Sequence, residues 1–154
     1  MDEREIVRYL SEDLDGVEAV TANGDWFFFY DPERKLPHDR RMPFATLVTG
    51  DLYDHASNLS REGVFRLNIG VGKETYRSLF GDPPAPAGET GVVETGHDFT
   101  ALDQIMPHPV YAPQHWVCVL NPGESTVDTV RSLLTEAHTR AARSYAIRMA
   151  QGEE

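Results

Sequence analysis

The residues best suited to chemistry lie between positions 97 and 115 of the chain. Three of the six histidines and two carboxylates fall in this stretch: His97, Asp98, Asp103, His108 and His115. Imidazole together with carboxylate is the usual ligand mixture for zinc or non-haem iron. A histidine tuned by a nearby carboxylate can also move protons near neutral pH. The stretch therefore raises two hypotheses, a metal site and an acid–base enzyme.

The spacing of these residues argues against both hypotheses. The chain has no His-x-x-x-His pair, and prolines separate the three histidines. His97 and Asp98 are neighbours in an extended segment, so their side chains point apart. We predict instead that His97 and His115 hydrogen-bond the loop backbone and that the flanking prolines hold His108 in a turn. No metal and no cofactor is predicted, and whether the chain is an enzyme stays open.

Arg66 and Asn68 form a second group of candidate site residues. Both project from one face of the predicted strand in "GVFRLNIGVG", and Lys73 begins the helix that follows. Such a group can bind a carboxylate or a phosphate. The stretch after the strand lacks the spacing of a phosphate-binding P-loop, however, so a solvated sheet face with a helix start is the favoured interpretation.

Charge limits the partners of the chain. Fourteen Lys plus Arg against 25 Asp plus Glu gives 14 − 25 = −11. An acidic protein repels nucleic acid and anionic membranes, so neither is expected as a partner. The positive residues concentrate in the loop 31–43 and in the last helix, and both groups are interpreted as solvated. They are Arg34, Lys35, Arg40 and Arg41 in the loop, and Arg131, Arg140, Arg143 and Arg148 in the helix.

Length and composition favour one domain that spans residues 1–154, long enough to bury roughly two thirds of its unfolded surface. The lone cysteine, Cys118, lies in the apolar run "HWVCVL" and is predicted to be a small core residue. The opening "MDEREIVRYL" lacks the features of a secretory signal, and no apolar run has membrane-spanning length. We expect a cytoplasmic protein.

Hydrophobic periodicity predicts the order helix, four strands, helix, one or two strands, helix. Residues 2–14 form the first amphipathic helix, and Asn23-Gly24 marks a tight hairpin between the first two strands. A short strand at "GVVET" and a helical turn near "FTALDQIM" are expected within residues 92–115. "WVCVL" is a late strand, and a long helix capped by Ser125 or Thr126 follows. Neighbouring hairpins favour an α+β two-layer sandwich, with a mostly antiparallel sheet and helices on one face.

The aromatic run "WFFFY" at 26–30 constrains how this sheet is covered. In a strand, Trp26, Phe28 and Tyr30 point to one face while Phe27 and Phe29 point to the other. One face is expected to pack on the terminal helices. The other face needs a second cover, which can be the 81–115 segment, another subunit or a ligand.

Five parts of the chain together carry a resemblance to a known family. They are "FFFYDP", "PFATLVTGDLYD", "FRLNIGVGKETYRSLFG", "GHDFTALDQIMPHPVYAPQHWVCVLNP" and the closing helix. These strings resemble an actinobacterial family of unknown function related to the MmcQ/YjbR-like proteins. The resemblance implies a two-layer fold with the order helix, three strands, helix, two strands, helix. It also implies DNA binding, suggested for the wider group from a double-wing arrangement, which the charge disfavours, and it implies no catalytic residues.

We predict a non-enzymatic domain that binds a small molecule or another protein, a homodimer included. Its site would combine an aromatic sheet face with the 81–115 segment, as small-molecule sites are mainly apolar with a few polar groups. The predicted ligand contacts are Trp26, Phe28, Tyr30, Arg66, Asn68, His97, His108 and His115. An enzyme with a His/Asp site at 97–115, with or without a metal, and a nucleic-acid binder are the alternatives.

Overall fold

A computed structural model describes residues 1–152. Within these residues, three α-helices and six strands follow one another. They are α1 (Glu3–Arg8, continued by a π-helical turn, Tyr9–Asp13), β1 (Val17–Ala22), β2 (Asp25–Tyr30), β3 (Ala45–Val48), β4 (Arg66–Gly70), α2 (Lys73–Phe80), β5 (Met106–Pro107), β6 (Trp116–Leu120) and α3 (Val127–Ala150).

The six strands form one sheet in the order β1-β2-β3-β4-β6-β5, and every neighbouring pair is antiparallel. The predicted α+β class and the antiparallel sheet are confirmed. Four strands precede α2, as the periodicity predicts. The order implied by the resemblance, with three strands there, is not confirmed.

The hairpin between β1 and β2 forms at the predicted dipeptide. Asn23 has φ 57° and Gly24 has φ 84°, the left-handed values that a tight two-residue turn requires. The turn sets the register of β1 on β2, in which Ala19 lies opposite Phe28. That register determines which aromatic side chains face the helices.

One face of the sheet packs against α1 and α3. Phe28 is fully buried there, in one cluster with Ile6 of α1 and Leu134 of α3. Tyr30 meets Tyr145 of α3 edge to face, with ring centroids 5.3 Å apart. Burying a side chain such as Phe28 contributes about 1.5–3 kcal/mol to stability. Its packing on the terminal helices is therefore as predicted.

Loop residues cover the second aromatic face. The guanidinium of Arg41, in the loop between β2 and β3, lies 4.0 Å from the ring centroid of Phe29. Tyr53, in the loop between β3 and β4, meets the ring of Phe27 edge to face at 6.4 Å. Both phenylalanines are half-buried. The loops at 31–43 and 51–61 thus supply cover for this face, for which the sequence predicted the 81–115 segment, another subunit or a ligand.

The segment from Gly81 to Thr126 has less regular structure than expected. "GVVET" forms no strand, although the buried Val93 donates a backbone hydrogen bond to Pro109. "FTALDQIM" forms turns rather than a helix, since Asp98 accepts from both the backbone and the hydroxyl of Thr100. The short strand lies instead at Met106–Pro107.

No helix among residues 1–152 is long and apolar enough to cross a membrane. The longest, α3, buries Val130, Leu133, Leu134 and Ala137.

Candidate functional site

A cleft of about 400 Å³ lies between the C-terminal half of α3 and the loop that joins β2 to β3. Phe29 and Tyr30, at the end of β2, form part of its wall. Its remaining lining comes from the loop, from the ends of β4 and β6, and from α3. These residues are Leu36, Arg40, Arg41, Met42, Pro43, Phe44, Gly70, Val71, Gln114, Trp116, Ala137, Arg140, Ala141, Ser144, Tyr145 and Arg148.

Small side chains of α3 leave this space open. Ala137, Ala141 and Ser144 follow one another at spacings of four and three residues, so they lie on one side of the helix. The longer side chains of Arg140, Tyr145 and Arg148 line the same cleft. On α3, the small residues thus leave space within the cleft, and polar and charged side chains border that space.

The charged residues that line the cleft are all arginines. They are Arg40, Arg41, Arg140 and Arg148, and no Asp, Glu, Lys or His of the described chain lines it. In a protein of net charge −11, this concentrates four of 14 cationic side chains around one cavity. Positive groups that converge on a concave site attract anions.

Arg41 holds the loop wall of the cleft in place. Its Nη1 lies 2.6 Å from Glu18 and 2.9 Å from Asp31, and its side chain is 5% exposed. Asp31 also accepts backbone hydrogen bonds from Lys35 and Leu36. Two carboxylates thus neutralise Arg41, while its Nε has no hydrogen-bond partner among the described residues. Arg41 is mainly structural, and the positive character of the cleft depends on the other arginines.

Arg40 and Arg140 form no ion pair within residues 1–152. Arg140 Nη1 lies 3.5 Å from the carbonyl oxygen of Gly70, at the end of β4. Arg148 Nη1 donates to the carbonyl oxygen of Arg40 at 3.0 Å, which ties the end of α3 to the loop wall. A bound anion can therefore pair with Arg40 or Arg140 without displacing a protein carboxylate.

A second polar cluster lies on the sheet face that points away from α1 and α3. Its polar groups hydrogen-bond one another. Arg66 donates from both terminal nitrogens to Asp54, at 3.0 and 2.8 Å, and from Nη1 to Ser57 at 3.0 Å. Its Nε donates to Asn68 at 2.9 Å, and Asn68 donates to Thr46 at 2.9 Å. Burial alone would raise the pKa of Asp54, but the hydrogen bonds and charge of Arg66 hold it below the ordinary value.

The family of the chain follows from a comparison with known sequence families. The model of a family of unknown function, DUF6194, matches residues 1–150. The chain belongs to this family. Comparisons with curated proteins and with solved structures found no match. The family match carries no link to the MmcQ/YjbR-like proteins or to actinobacteria, and that relation stays a prediction.

The aromatic residues proposed from the sequence divide between the core and the cleft of this DUF6194 chain. Phe28 is fully buried, and Trp26 stacks on it with ring centroids 6.2 Å apart. Of the three rings Trp26, Phe28 and Tyr30, Tyr30 lines the cleft. Phe29, on the alternate face, lines it as well, since the cleft lies at the end of β2.

Arg66, Asn68 and His108 lie together, away from the cleft. His108 Nδ1 accepts hydrogen bonds from the backbone of Val110 and Tyr111, both at 3.0 Å. Burial, with a contribution from the nearby charge of Arg66, lowers the pKa of His108 to about 3. Neutral at physiological pH, His108 completes a turn, in agreement with the role predicted for it.

Cys118 shares this face of the sheet, directly opposite Asn68 in the register of β4 and β6. Burial raises the pKa of its thiol to about 12. A thiol with this pKa is not a nucleophile at neutral pH, and Cys118 is a core residue as predicted.

His97 and His115 lie against α2 and not against His108. The ring of His97 meets Phe80 at 5.6 Å and the ring of His115 meets Tyr76 at 5.8 Å. Within residues 1–152, no hydrogen bond or ring contact joins either histidine to His108. The same residues contain no group of three His, Cys, Asp or Glu side chains that could hold a metal ion.

The two carboxylates of the 97–115 stretch are engaged in local structure. Asp98 accepts from Thr100, and these hydrogen bonds lower its pKa. Asp103 accepts from Thr126 at 2.6 Å and from the backbone of Gly123 and Ser125 at 2.7 and 3.2 Å, and its pKa is lowered chiefly by the Thr126 hydroxyl. Both carboxylates stabilise turns.

Sequence reasoning missed the arginines of the cleft because it treated the loop and the last helix separately. The signal was present in α3, where Arg140 and Arg148 border the small residues Ala137, Ala141 and Ser144. Arginines beside small residues on one side of a helix indicate room for a ligand, provided that another part of the chain lies opposite that side. The wall could not be predicted, because the path of residues 31–43 depends on the buried contacts of Arg41.

Proposed function

We propose that this DUF6194 chain binds a small organic anion in the cleft between α3 and the β2–β3 loop. The observation that carries the proposal is the lining: arginines are its only charged members among the described residues. Apolar side chains of Phe29, Phe44 and Trp116 line the rest. A molecule with an anionic group and an apolar body fits both parts of this surface.

Binding is favoured over catalysis by the same lining. General acid–base or nucleophilic chemistry needs a titratable side chain within hydrogen-bond reach of the reacting atoms. The described lining holds no His, Cys, Asp or Glu, and the histidines at 97, 108 and 115 lie elsewhere. Tyr145, which lines the cleft beside Tyr30, has its pKa raised chiefly by burial, so its phenol is a poor base at neutral pH. A small-molecule ligand was also predicted from the sequence, but at a different site. Of the described residues 81–115, Gln114 alone lines the cleft.

The test compares benzoate with benzamide, which has the same ring and no charge, by calorimetric titration in low-salt buffer. We expect benzoate to bind at least tenfold more tightly, because the arginines attract the carboxylate. Arg140→Gln should reduce benzoate affinity about tenfold. Arg131→Gln is the matched control, since Arg131 lies on α3 and pairs loosely with Asp128 outside the cleft.

Equal affinity for benzoate and benzamide would sink the proposal. An equal loss in Arg131→Gln and Arg140→Gln would also count against it, because the effect would then reflect net charge alone. Sedimentation of the protein with and without benzoate measures its mass, and a change in mass would show that self-association accompanies the titration. Retention on DNA at low salt would favour the nucleic-acid alternative.

A further inference from the structure

The cationic side chains of the cleft lie at two separate ends. Arg140 and Arg148 are eight residues apart on α3, a rise of roughly 12 Å along the helix axis. Both line the cleft. Their separation along one rigid element means that the cleft is long and carries charge at each end.

Backbone contacts keep the two ends apart. The guanidinium of Arg140 lies at the carbonyl oxygen of Gly70, beside the start of α2. The guanidinium of Arg148 lies at the carbonyl oxygen of Arg40, and Arg40 adds its own positive side chain to that end. The two groups therefore do not converge on one point.

Apolar side chains contribute to the lining between the ends, and Arg41, which also lines the cleft, is already paired with Glu18 and Asp31. Ala141, Ser144 and Tyr145 of α3 lie between Arg140 and Arg148, and Met42 and Pro43 face the cleft from the loop. An anionic group there would lose hydration and gain little from Arg41, because Glu18 and Asp31 already neutralise that guanidinium. An apolar segment fits this middle part better.

We infer that the preferred ligand carries two anionic groups, one at each end of an apolar linker, with one group at Arg140 and the other at Arg40. This inference rests on the proposed function, because it concerns the same cleft. A ligand with a single anionic group can pair with Arg140 or with Arg40, but not with both. Two matched ends also select for ligand length, since a short dianion cannot reach both.

The test uses suberate and its monomethyl ester, which have nearly the same length but two and one carboxylates. We expect calorimetric titration to show suberate binding at least tenfold more tightly, beyond the twofold statistical advantage of two identical ends. Succinate should show no such gain over monomethyl succinate, because its short chain reaches one end only. Arg140→Gln and Arg40→Gln should each reduce the suberate preference to about twofold, and Arg131→Gln should leave it unchanged.

The outcomes separate this inference from the proposed function. If suberate and its monomethyl ester bind with equal affinity, and benzoate still binds better than benzamide, the cleft is a site for single anions and the inference is wrong. If none of the carboxylates binds, the proposed function itself is wrong. A suberate preference that survives Arg140→Gln would place the second anionic group elsewhere and would also overturn the inference.

Discussion

Arg66 shows how a residue that looks like a site from the sequence can be a structural centre. Its guanidinium donates to Asp54, Ser57 and Asn68, and its side chain is 3% exposed. Asp54, Ser57 and Asn68 already accept from its guanidinium, so a ligand would have to displace a buried ion pair. The pair fastens the loop at 51–61 to the sheet face that carries Phe27.

Replacing Arg66 by Met should lower the free energy of unfolding by about 3–5 kcal/mol, because the carboxylate of Asp54 loses its buried partner. Urea unfolding followed by fluorescence measures the change. Arg77→Met is the control, since Arg77 pairs with Asp82 at 3.4 Å on the exposed surface, and we expect a change within about 0.5 kcal/mol.

The double variant Arg66→Met/Asp54→Asn distinguishes this cause from simple loss of packing. Removing the unpaired carboxylate should restore part of the stability that Arg66→Met loses. If Asp54→Asn lowers the stability of the Arg66→Met protein as much as it lowers that of the wild type, the two residues are not coupled. The lost ion pair is then not the source of the effect.

At the scale of elements, a distant residue holds the turn that leads into α3. Thr126 occupies the N-cap position as predicted, but its side chain does not cap the helix. Its hydroxyl instead donates to Asp103, which also accepts from the backbone of Gly123 and Ser125. An acidic side chain at this end also suits the helix dipole.

Asp103→Ala should destabilise the protein by about 1–2 kcal/mol, because the α3 start loses its acceptor and Asp103 has φ 54°, which alanine disfavours. Asp103→Asn should cost less, since asparagine tolerates this backbone and keeps one acceptor oxygen. Thermal unfolding of the two variants measures the difference. Equal losses would mean that the turn before α3 does not depend on a retained oxygen.

The elements themselves were largely predictable from the sequence. Asn23-Gly24 predicts the first hairpin because few dipeptides adopt positive φ at both positions. The spacing of Val130, Leu134 and Ala137 predicts the buried side of α3. The segment at 92–115 was less predictable, because its turns depend on side-chain hydrogen bonds such as that of Asp98 to Thr100. The cleft was not predictable, since it forms where distant elements meet: Arg148 of α3 contacts Arg40 of the loop, 108 residues before it.

At the scale of the whole molecule, the buried His108 makes stability depend on pH. Its pKa of about 3 in the folded state lies below the ordinary value of 6.5. As the pH falls below about 6.5, the unfolded chain takes up a proton that the folded protein does not, so stability decreases until about pH 3. The lowered pKa of Asp54 acts at lower pH, where protonation of the unfolded chain near its ordinary pKa of 3.8 removes further stability.

Wild-type protein should therefore lose about 2 kcal/mol of unfolding free energy from His108 between pH 7 and about pH 5. His108→Asn, which keeps an acceptor for the backbone of Val110, should lose less over the same range. Urea titrations at the two pH values measure both changes. His55→Asn, at an exposed histidine, is the control, and an unchanged pH dependence in His108→Asn would contradict the assignment to His108.

The sheet order has a consequence for synthesis on the ribosome. β1 to β4 pair with their neighbours in sequence, so these four strands can assemble early, but part of the cover of Phe28 comes from α3, which begins 127 − 28 = 99 residues later. At about 5–20 residues per second, the nascent hairpin exposes its aromatic surface for roughly 5–20 s before the helix emerges. The acidic residues of α1 precede this hairpin and are available during that interval to repel other nascent chains.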